Sequence, residues 1–502
     1  MDRALRARFA LAALIGVTGL AVRLWLLGTP AGALNADEAY TGLQALAILD
    51  GDLPVVIRGA GYTAVLDSYA FAPFVALFGA HVVPLKLLSG LWWALAAVVA
   101  FATVKRLARA LSWDTAWAPW LAAAMVWLAP GALMQISTRA YEAYGLGLLA
   151  VATTTWLVVR VLVDGIGSTR LVVVAGAAGG LAFYLHPMFA AVVVPLVAVP
   201  CWVHRRRLRE WWLPAVGGAV LVNLPLLAWN ARNGWPSLDE PSPAQDTYIE
   251  RLGRFFSGLL PRAFGAMNAD GEWTWGAVSV ALYAVLMILA TWGVVTLLRR
   301  GAVGRAVALP AVLCWPLLAA FSSLWYVADG RYAIVGFPFV VSVIVAGLVD
   351  LVRRVGWSSG WVTGVALVCA WPMLLVVPWL GSNAGGRVDD PNAGTQAIVD
   401  TLEAEGFGYA AGNYWLTLPV EYQSDRRIRT AVAGHPWGVV FPWQPKFPWG
   451  VRFAERQAEV LSQPSYDIAY VFLPGDEQVG ALPLPVEEYE RREVGGAVLY
   501  LP

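Results

Sequence analysis

The sequence predicts an all-α polytopic membrane protein of about eleven transmembrane helices, followed by a small extracytoplasmic α/β domain. Three observations predict it. Apolar residues make up 59% of the chain and charged residues only 14%, too few to cover an ordinary water-facing surface. Apolar runs near the ~20 residues that cross a bilayer recur from residue 9 to residue 380. Arginine and lysine cluster at alternate ends of these runs although the net charge is only +1, and that asymmetry orients spans better than the total does. The charge balance gives no reason to expect nucleic acid as a partner.

The first run, 9–27, follows Arg3, Arg6 and Arg8 as a signal peptide would. It is long and shows no small-residue cleavage pattern before Asn35, so it reads as an uncleaved helix with a cytoplasmic N-terminus. The loop 28–83 then lies outside. Asn35 caps a helix whose third position is Glu38, and Ala39, Leu43, Leu46 and Ala47 share one face, as in a helix lying in the interface. Asp37 and Glu38 in that first turn complement the helix dipole, or they are functional acids. The stretch 71–78 is apolar but too short to span, and reads as interfacial or re-entrant.

The second span, 84–104, returns to the cytoplasm at Lys105, Arg106 and Arg109. The third, 117–134, and the fourth, 144–162, are joined by an outer polar turn that holds Arg139 and Glu142, spaced to pair on a helix face. Spans five and six, 171–184 and 189–202, meet at His186-Pro187, where a structural histidine is the commoner outcome. Gly176, Gly179 and Gly180 permit close helix packing. Arg205, Arg206, Arg207 and Arg209 mark the next cytoplasmic turn. After span seven, 213–229, comes a second outer loop, 231–274, helical around 248–264 and carrying Arg251, Arg254 and Arg262. Spans eight and nine, 278–298 and 307–324, lead to an outer turn with Asp329 and Arg331. The tenth ends at Arg353 and Arg354, and the eleventh covers 362–380.

Residues 1–380 thus form the membrane domain and 381–502 a soluble-looking domain. In the latter, 397–405 and the Tyr414-Trp415 stretch read as helix, and 409–411, 428–432, 468–472 and 497–501 as strand. Cys201, Cys314 and Cys369 lie inside apolar runs without disulfide or zinc spacing, and act as small hydrophobes.

With this topology the outer turns bring Asp37, Glu38, Tyr62, Asp67, Lys86, Arg139, Glu142, His186 and Arg331 to one rim. No glycine-rich phosphate loop follows a strand. An outward site beside lipid suits a donor carried on a lipid phosphate. The phosphate needs arginine or lysine, and the transferred group needs a base that deprotonates the attacking hydroxyl. Asp37 is the candidate base, and Glu38 positions it, the acceptor or an ion.

Asp37-Glu38-Ala39-Tyr40, then Tyr62, Asp67 and Tyr69, Phe78-Gly79 and Lys86 make a loop that resembles the first outer loop of bacterial GT-C glycosyltransferases of the protein O-mannosyltransferase and aminoarabinose transferase type. The resemblance continues through Gly179-Gly180-Leu181 to His186-Pro187, Leu224-Pro225 to Asn230, Asp329-Gly330-Arg331-Tyr332 with Pro338, and Tyr409-Ala410 to Tyr414-Trp415. It implies inverting transfer of a sugar from a polyprenyl-phosphate donor to a glycan, lipid or protein acceptor at the outer face of the cytoplasmic membrane, with Asp37 as base. Lys86 stands where the family commonly has arginine, and Asp67 where it commonly has glutamate. No cofactor is required, no metal site is assigned, and a divalent cation stays open. Two other readings remain: a flippase or transporter of a lipid-linked sugar, which would carry polar residues at the midplane of several spans, and a catalytically silent scaffold.

Overall fold

The computed structural model describes residues 3–57, 60–113, 115–165, 168–203, 205–238, 246–321, 330–356, 361–432, 458–477 and 482–502. Helix α1 (Arg3–Leu27) leads into α2 (Ala36–Leu49). Helix α2 starts where the sequence places it. The Asn35 side chain accepts from Glu38 N, and the Glu38 side chain accepts from Asn35 N, a complete capping box. A short hairpin of β1 (Val56–Ile57) and β2 (Ala60–Ala64) follows, then α3 (Leu66–Phe78) and α4 (Val82–Ala110). At ~1.5 Å per residue, the 13 residues of α3 fall well short of a ~30 Å hydrocarbon core.

The predicted third span is not one helix. It divides into α5 (Ala118–Trp127) and α6 (Gly131–Ile136) at Leu128-Ala129-Pro130, because proline cannot continue the backbone ladder. Gly131 is left-handed at φ +52, and a Cβ there would fall 2.2 Å from Gly265 N. Only glycine lets the two chains cross at that point.

Helices α7 (Tyr144–Asp164), α8 (Thr169–Leu185), α9 (Ala190–Val203) and α10 (Leu208–Asn233) complete the first half. The small residues of α8 seat it on α10: a Cβ at Gly176 would lie 1.9 Å from Ala215 O. Asn223 Nδ2 on α10 donates to Gly180 O at 2.9 Å and Ala219 O at 2.8 Å. The segment between α10 and α13 holds α11 (Tyr248–Arg254) and α12 (Leu260–Ala263), and α13 (Ala277–Leu298), α14 (Gly301–Phe321), α15 (Phe337–Val355), α16 (Trp361–Trp371) and α17 (Val377–Asn383) follow. Among the described residues, seven helical segments are long and apolar enough to cross a membrane. Many of their outward side chains, among them Val17, Val98, Leu221 and Ile288, are apolar and exposed, as a bilayer-facing surface requires.

The C-terminal region contains α18 (Ala393–Ala404), β3 (Tyr409–Gly412), α19 (Tyr414–Gln423), β4 (Arg429–Val432), β5 (Ile468–Phe472), β6 (Glu490–Val494) and β7 (Ala497–Leu501). The strands form one sheet in the order β4-β3-β5-β7-β6, parallel across β4-β3-β5 and antiparallel beyond. Strand β6 was not foreseen. Its sequence ERREV is mostly charged because it is an edge strand open to solvent. Helix α19 packs on α2, where Leu418 and Tyr422 join Leu34, Ala39 and Leu43 in one apolar cluster. Asn392 Oδ1 accepts from Leu34 N at 2.8 Å, and Arg426 pairs with Asp50. The C-terminal sheet is thereby anchored over α2.

Candidate active site

Adjacent positions on a helix point about 100° apart, so the capped first turn of α2 sends Asp37 and Glu38 in different directions. Glu38 points inward and is fully buried. Its carboxylate accepts from Lys86 Nζ at 2.7 and 2.8 Å, from Arg139 Nη1 at 2.7 Å and from Ala140 N at 2.9 Å. Burial works to raise its pKa, but the two cations outweigh burial and hold it below the ordinary carboxylate value. Lys86 Nζ and Arg139 Nη1 also donate to Ala33 O, at 3.3 and 2.7 Å. The network therefore ties α2, α4, the turn after α6 and the chain before α2 to one anion.

Asp37 points the other way, and its side chain is 32% exposed. Tyr414, at the start of α19, donates its hydroxyl to Asp37 Oδ1 at 2.9 Å, and Arg331 Nη1 lies 3.7 Å from Oδ2. Burial, and then the Asp37 charge, push the Tyr414 hydroxyl well above its ordinary pKa, so it stays a proton donor. The Arg331 guanidinium sits over the rings of Tyr141 and Tyr144, at 5.5 and 6.0 Å, which orient it without neutralising it. The Tyr141 hydroxyl accepts from Asn35 Nδ2 at 2.6 Å, and burial pushes its pKa up to about 12. Two carboxylates against Lys86, Arg139 and Arg331 leave this cluster one positive charge.

Asp67 and Glu142 form a second, adjoining group. Asp67 Oδ1 accepts from Trp92 Nε1 at 2.9 Å and Oδ2 from Ala143 N at 2.7 Å. Glu142 accepts from Asp67 N at 3.2 Å, Ser68 N at 3.0 Å and the Ser68 hydroxyl. Burial raises the pKa of both carboxyls, and for Glu142 the Asp67 charge adds to it. These bonds pin Ala143 in a left-handed conformation, φ 71, which a non-glycine residue adopts only where its surroundings dictate it. Arg139 and Glu142 do not pair across one helix face as their spacing allows; each is spent on a different partner.

Tyr62 on β2 meets His186 edge-on at 5.4 Å. His186 caps the turn that follows α8, with Nδ1 accepting from Met188 N at 3.1 Å, and burial lowers its pKa to about 4. It is neutral near pH 7. Asp329 lies outside the described residues. Among the described residues, no three His, Cys, Asp or Glu side chains converge as a metal site.

No family model matches this sequence, and no curated protein does. Solved structures do match. The crystal structure of ArnT from Cupriavidus metallidurans in the apo state superposes with a TM-score of 0.66 at 14% identity, over 98% of both chains. The same protein bound to undecaprenyl phosphate gives 0.61 at 14% identity, over 97% of this chain and 98% of that one. The archaeal oligosaccharyltransferase AglB from Archaeoglobus fulgidus, in complex with an inhibitory peptide and a dolichol-phosphate, gives 0.50 at 12% identity, over 98% of this chain and 74% of that one.

The chain has the GT-C fold. It is a multi-pass membrane protein of that architecture, helical through the membrane and closed by a small sheet. Within the GT-C frame the predicted rim resolves into parts. Asp37 and Arg331 border an accessible face, and Glu38, Lys86 and Arg139 form a buried brace beneath it. Asp67 with Glu142 makes a second brace, and Tyr62 with His186 a separate ring contact. Tyr414, Tyr141 and Tyr144 join the site without having been singled out as site residues from the sequence.

Proposed function

We propose that this protein is an integral membrane glycosyltransferase that moves a sugar from a polyprenyl-phosphate carrier to an acceptor hydroxyl, with inversion, using Asp37 as general base. The observation that carries the reading is the division of labour in the first turn of α2. Asp37 is a third exposed and held by Tyr414, while its neighbour Glu38 is fully buried and fixes the platform. The donor class is supported by the fold, since one structure of similar fold holds undecaprenyl phosphate and another a dolichol-phosphate.

In this reading Asp37 takes the proton of the acceptor hydroxyl as the oxygen bonds to the anomeric carbon. The bond from that carbon to the phosphate oxygen breaks on the opposite side, and its electron pair leaves with the polyprenyl phosphate. A single displacement of this kind inverts the anomeric centre. The net positive charge of the cluster, with Arg331 nearest the opening, opposes the charge of the phosphate. Tyr414 holds Oδ1, which leaves Oδ2 to receive the proton. The acceptor is a glycan, lipid or protein at the outer face of the cytoplasmic membrane. The N-terminus is cytoplasmic, residues 1–380 form the catalytic membrane domain, and residues 381–502 form an extracytoplasmic domain that supplies Tyr414.

A carrier would need polar side chains along the spans. Asn223, a polar residue within the apolar run of α10, has its amide donor engaged by Gly180 O and Ala219 O. The test is to incubate the purified full chain with polyprenyl-phosphate sugars and follow loss of donor and the configuration of the product. A retained configuration, or no turnover with any donor, would remove the reading.

A further inference from the structure

Between α9 and α10 a single 3-10 turn at Arg205–Arg207 gathers charge that the Asp37 site does not use. Residues 205–210 hold four arginines and one glutamate, a net charge of +3 in a chain whose total is +1. Arg205, Arg206 and Arg209 are exposed, and among the described residues no acid pairs with them. Arg170, in the first turn of α8, is exposed as well. It belongs to the same end of the bundle, because Trp211 packs against Val172 beside it. The far ends of α8 and α10 meet the β1–β2 hairpin, where His186 touches Tyr62 and the Ser237 hydroxyl donates to Gly61 O. At ~1.5 Å per residue the 26 residues of α10 span about 39 Å. The basic turn therefore lies across the membrane from the Asp37 face.

Basic residues at the end of a span orient it, but orientation alone does not account for this turn. At neighbouring ends the arginines are spent on the protein's own acids, Arg106 and Arg160 on Asp164 and Arg354 on Asp350. Here the charge is left open and is framed by aromatic surface. Trp202, at the end of α9, is 68% exposed, and Trp212, near the start of α10, is 52% exposed. The Arg205 guanidinium lies 5.1 Å from the Trp202 ring, within reach of a cation–π attraction. Tryptophan collects where hydrocarbon gives way to headgroups. From Trp212 the exposed surface of α10 runs on through Leu213, Val220 and Leu221 without a charge. A ligand that covers both parts carries an anion directly joined to apolar chains, and arginine is suited to phosphate oxygens. A soluble polyanion would satisfy the arginines and leave the tryptophans bare.

We infer that this turn is a docking site for the headgroup of an anionic phospholipid in the leaflet opposite the Asp37 face. Arg205, Arg206 and Arg209 supply the charge that holds its phosphate, and Trp202 and Trp212 flank its glycerol and upper chains. The site does not depend on the reaction proposed for Asp37.

Native mass spectrometry of the detergent-purified full chain tests this with phosphatidylglycerol, phosphatidylcholine of the same acyl chains, and inositol hexakisphosphate as a soluble polyanion. Phosphatidylglycerol binds at least tenfold more tightly than phosphatidylcholine. Combined Arg205→Gln, Arg206→Gln and Arg209→Gln removes that preference, whereas combined Arg299→Gln and Arg300→Gln, at the turn before α14, keeps it. Combined Trp202→Ala and Trp212→Ala leaves the arginines in place and weakens phosphatidylglycerol binding too, which decides the matter should the arginine variant fail to fold. Phosphatidylglycerol binding unchanged in either the arginine or the tryptophan variant overturns the inference. So does equal binding of the two lipids, or an equal loss in the Arg299 and Arg300 variant, which would mark attraction to positive charge in general. Inositol hexakisphosphate binding as tightly as phosphatidylglycerol would mark a surface for a soluble polyanion and overturn it as well.

Discussion

Glu38→Gln should destabilise the protein far more than Asp37→Asn, although the two residues are adjacent and both acidic. Glu38 is fully buried and receives Lys86, Arg139 and Ala140 N. Glutamine keeps the shape but removes the charge and turns an amide donor toward one of the cations, leaving two buried cations without their anion. Breaking a buried ion network by removing one partner costs about 3–5 kcal/mol. Unfolding entropy of about 2.1 cal/mol/K per residue gives ~1 kcal/mol/K for a chain of 502 residues, so the thermal midpoint should fall by about 3–5 °C. Asp37 is a third exposed, so its amide variant should shift the midpoint by less than about 1 °C, in line with surface substitutions. Differential scanning calorimetry of both variants in one detergent reads the difference. Equal midpoints for Glu38→Gln and the parent would refute the claim that Glu38 is the brace.

Tyr414→Phe removes the hydrogen bond to Asp37 Oδ1. Donor turnover should fall by the worth of a hydrogen bond to a charged group, about 1.5–3 kcal/mol, with donor affinity unchanged; turnover equal to the parent's would show that Tyr414 does not position the base. The Asp67 carboxyl, raised to about 7 by burial, contributes stability that is fully present below the ordinary carboxylate range and is lost as pH rises through its folded value. The thermal midpoint should therefore decline between about pH 4 and 7, and Asp67→Asn should flatten that decline. His186 has the opposite sign: lowered to about 4, it contributes stability above its ordinary value of about 6.5 that is lost as pH falls toward 4. His186→Asn, whose side-chain oxygen can still accept from Met188 N, should flatten the acid side of the midpoint curve, and an unchanged acid limb would contradict the burial of a neutral imidazole.

Much of the architecture is legible in the sequence because membrane helices announce themselves by length and apolarity. The capping of α2 by Asn35 and Glu38 was readable for the same local reason. The division of α5 from α6 had a local signal too, Pro130-Gly131, but the hydropathy of the flanking residues masks it. Strand β6 hides because its charges read as a solvated run, whereas an edge strand tolerates them. The site is harder to read. The acidic pair was visible, yet only the helical rotation between positions 37 and 38 separates an open carboxylate from a buried one. Tyr414 lies 377 residues from Asp37, and no local pattern links them.

The central claim, that Asp37 is the base of a sugar transfer from a lipid phosphate, is tested most directly by single-turnover kinetics of the parent and Asp37→Asn with a polyprenyl-phosphate sugar. Donor affinity should be unchanged while the rate of sugar transfer falls by about 10²–10⁴-fold, the usual worth of a general base. Transfer by Asp37→Asn at the parental rate would contradict it.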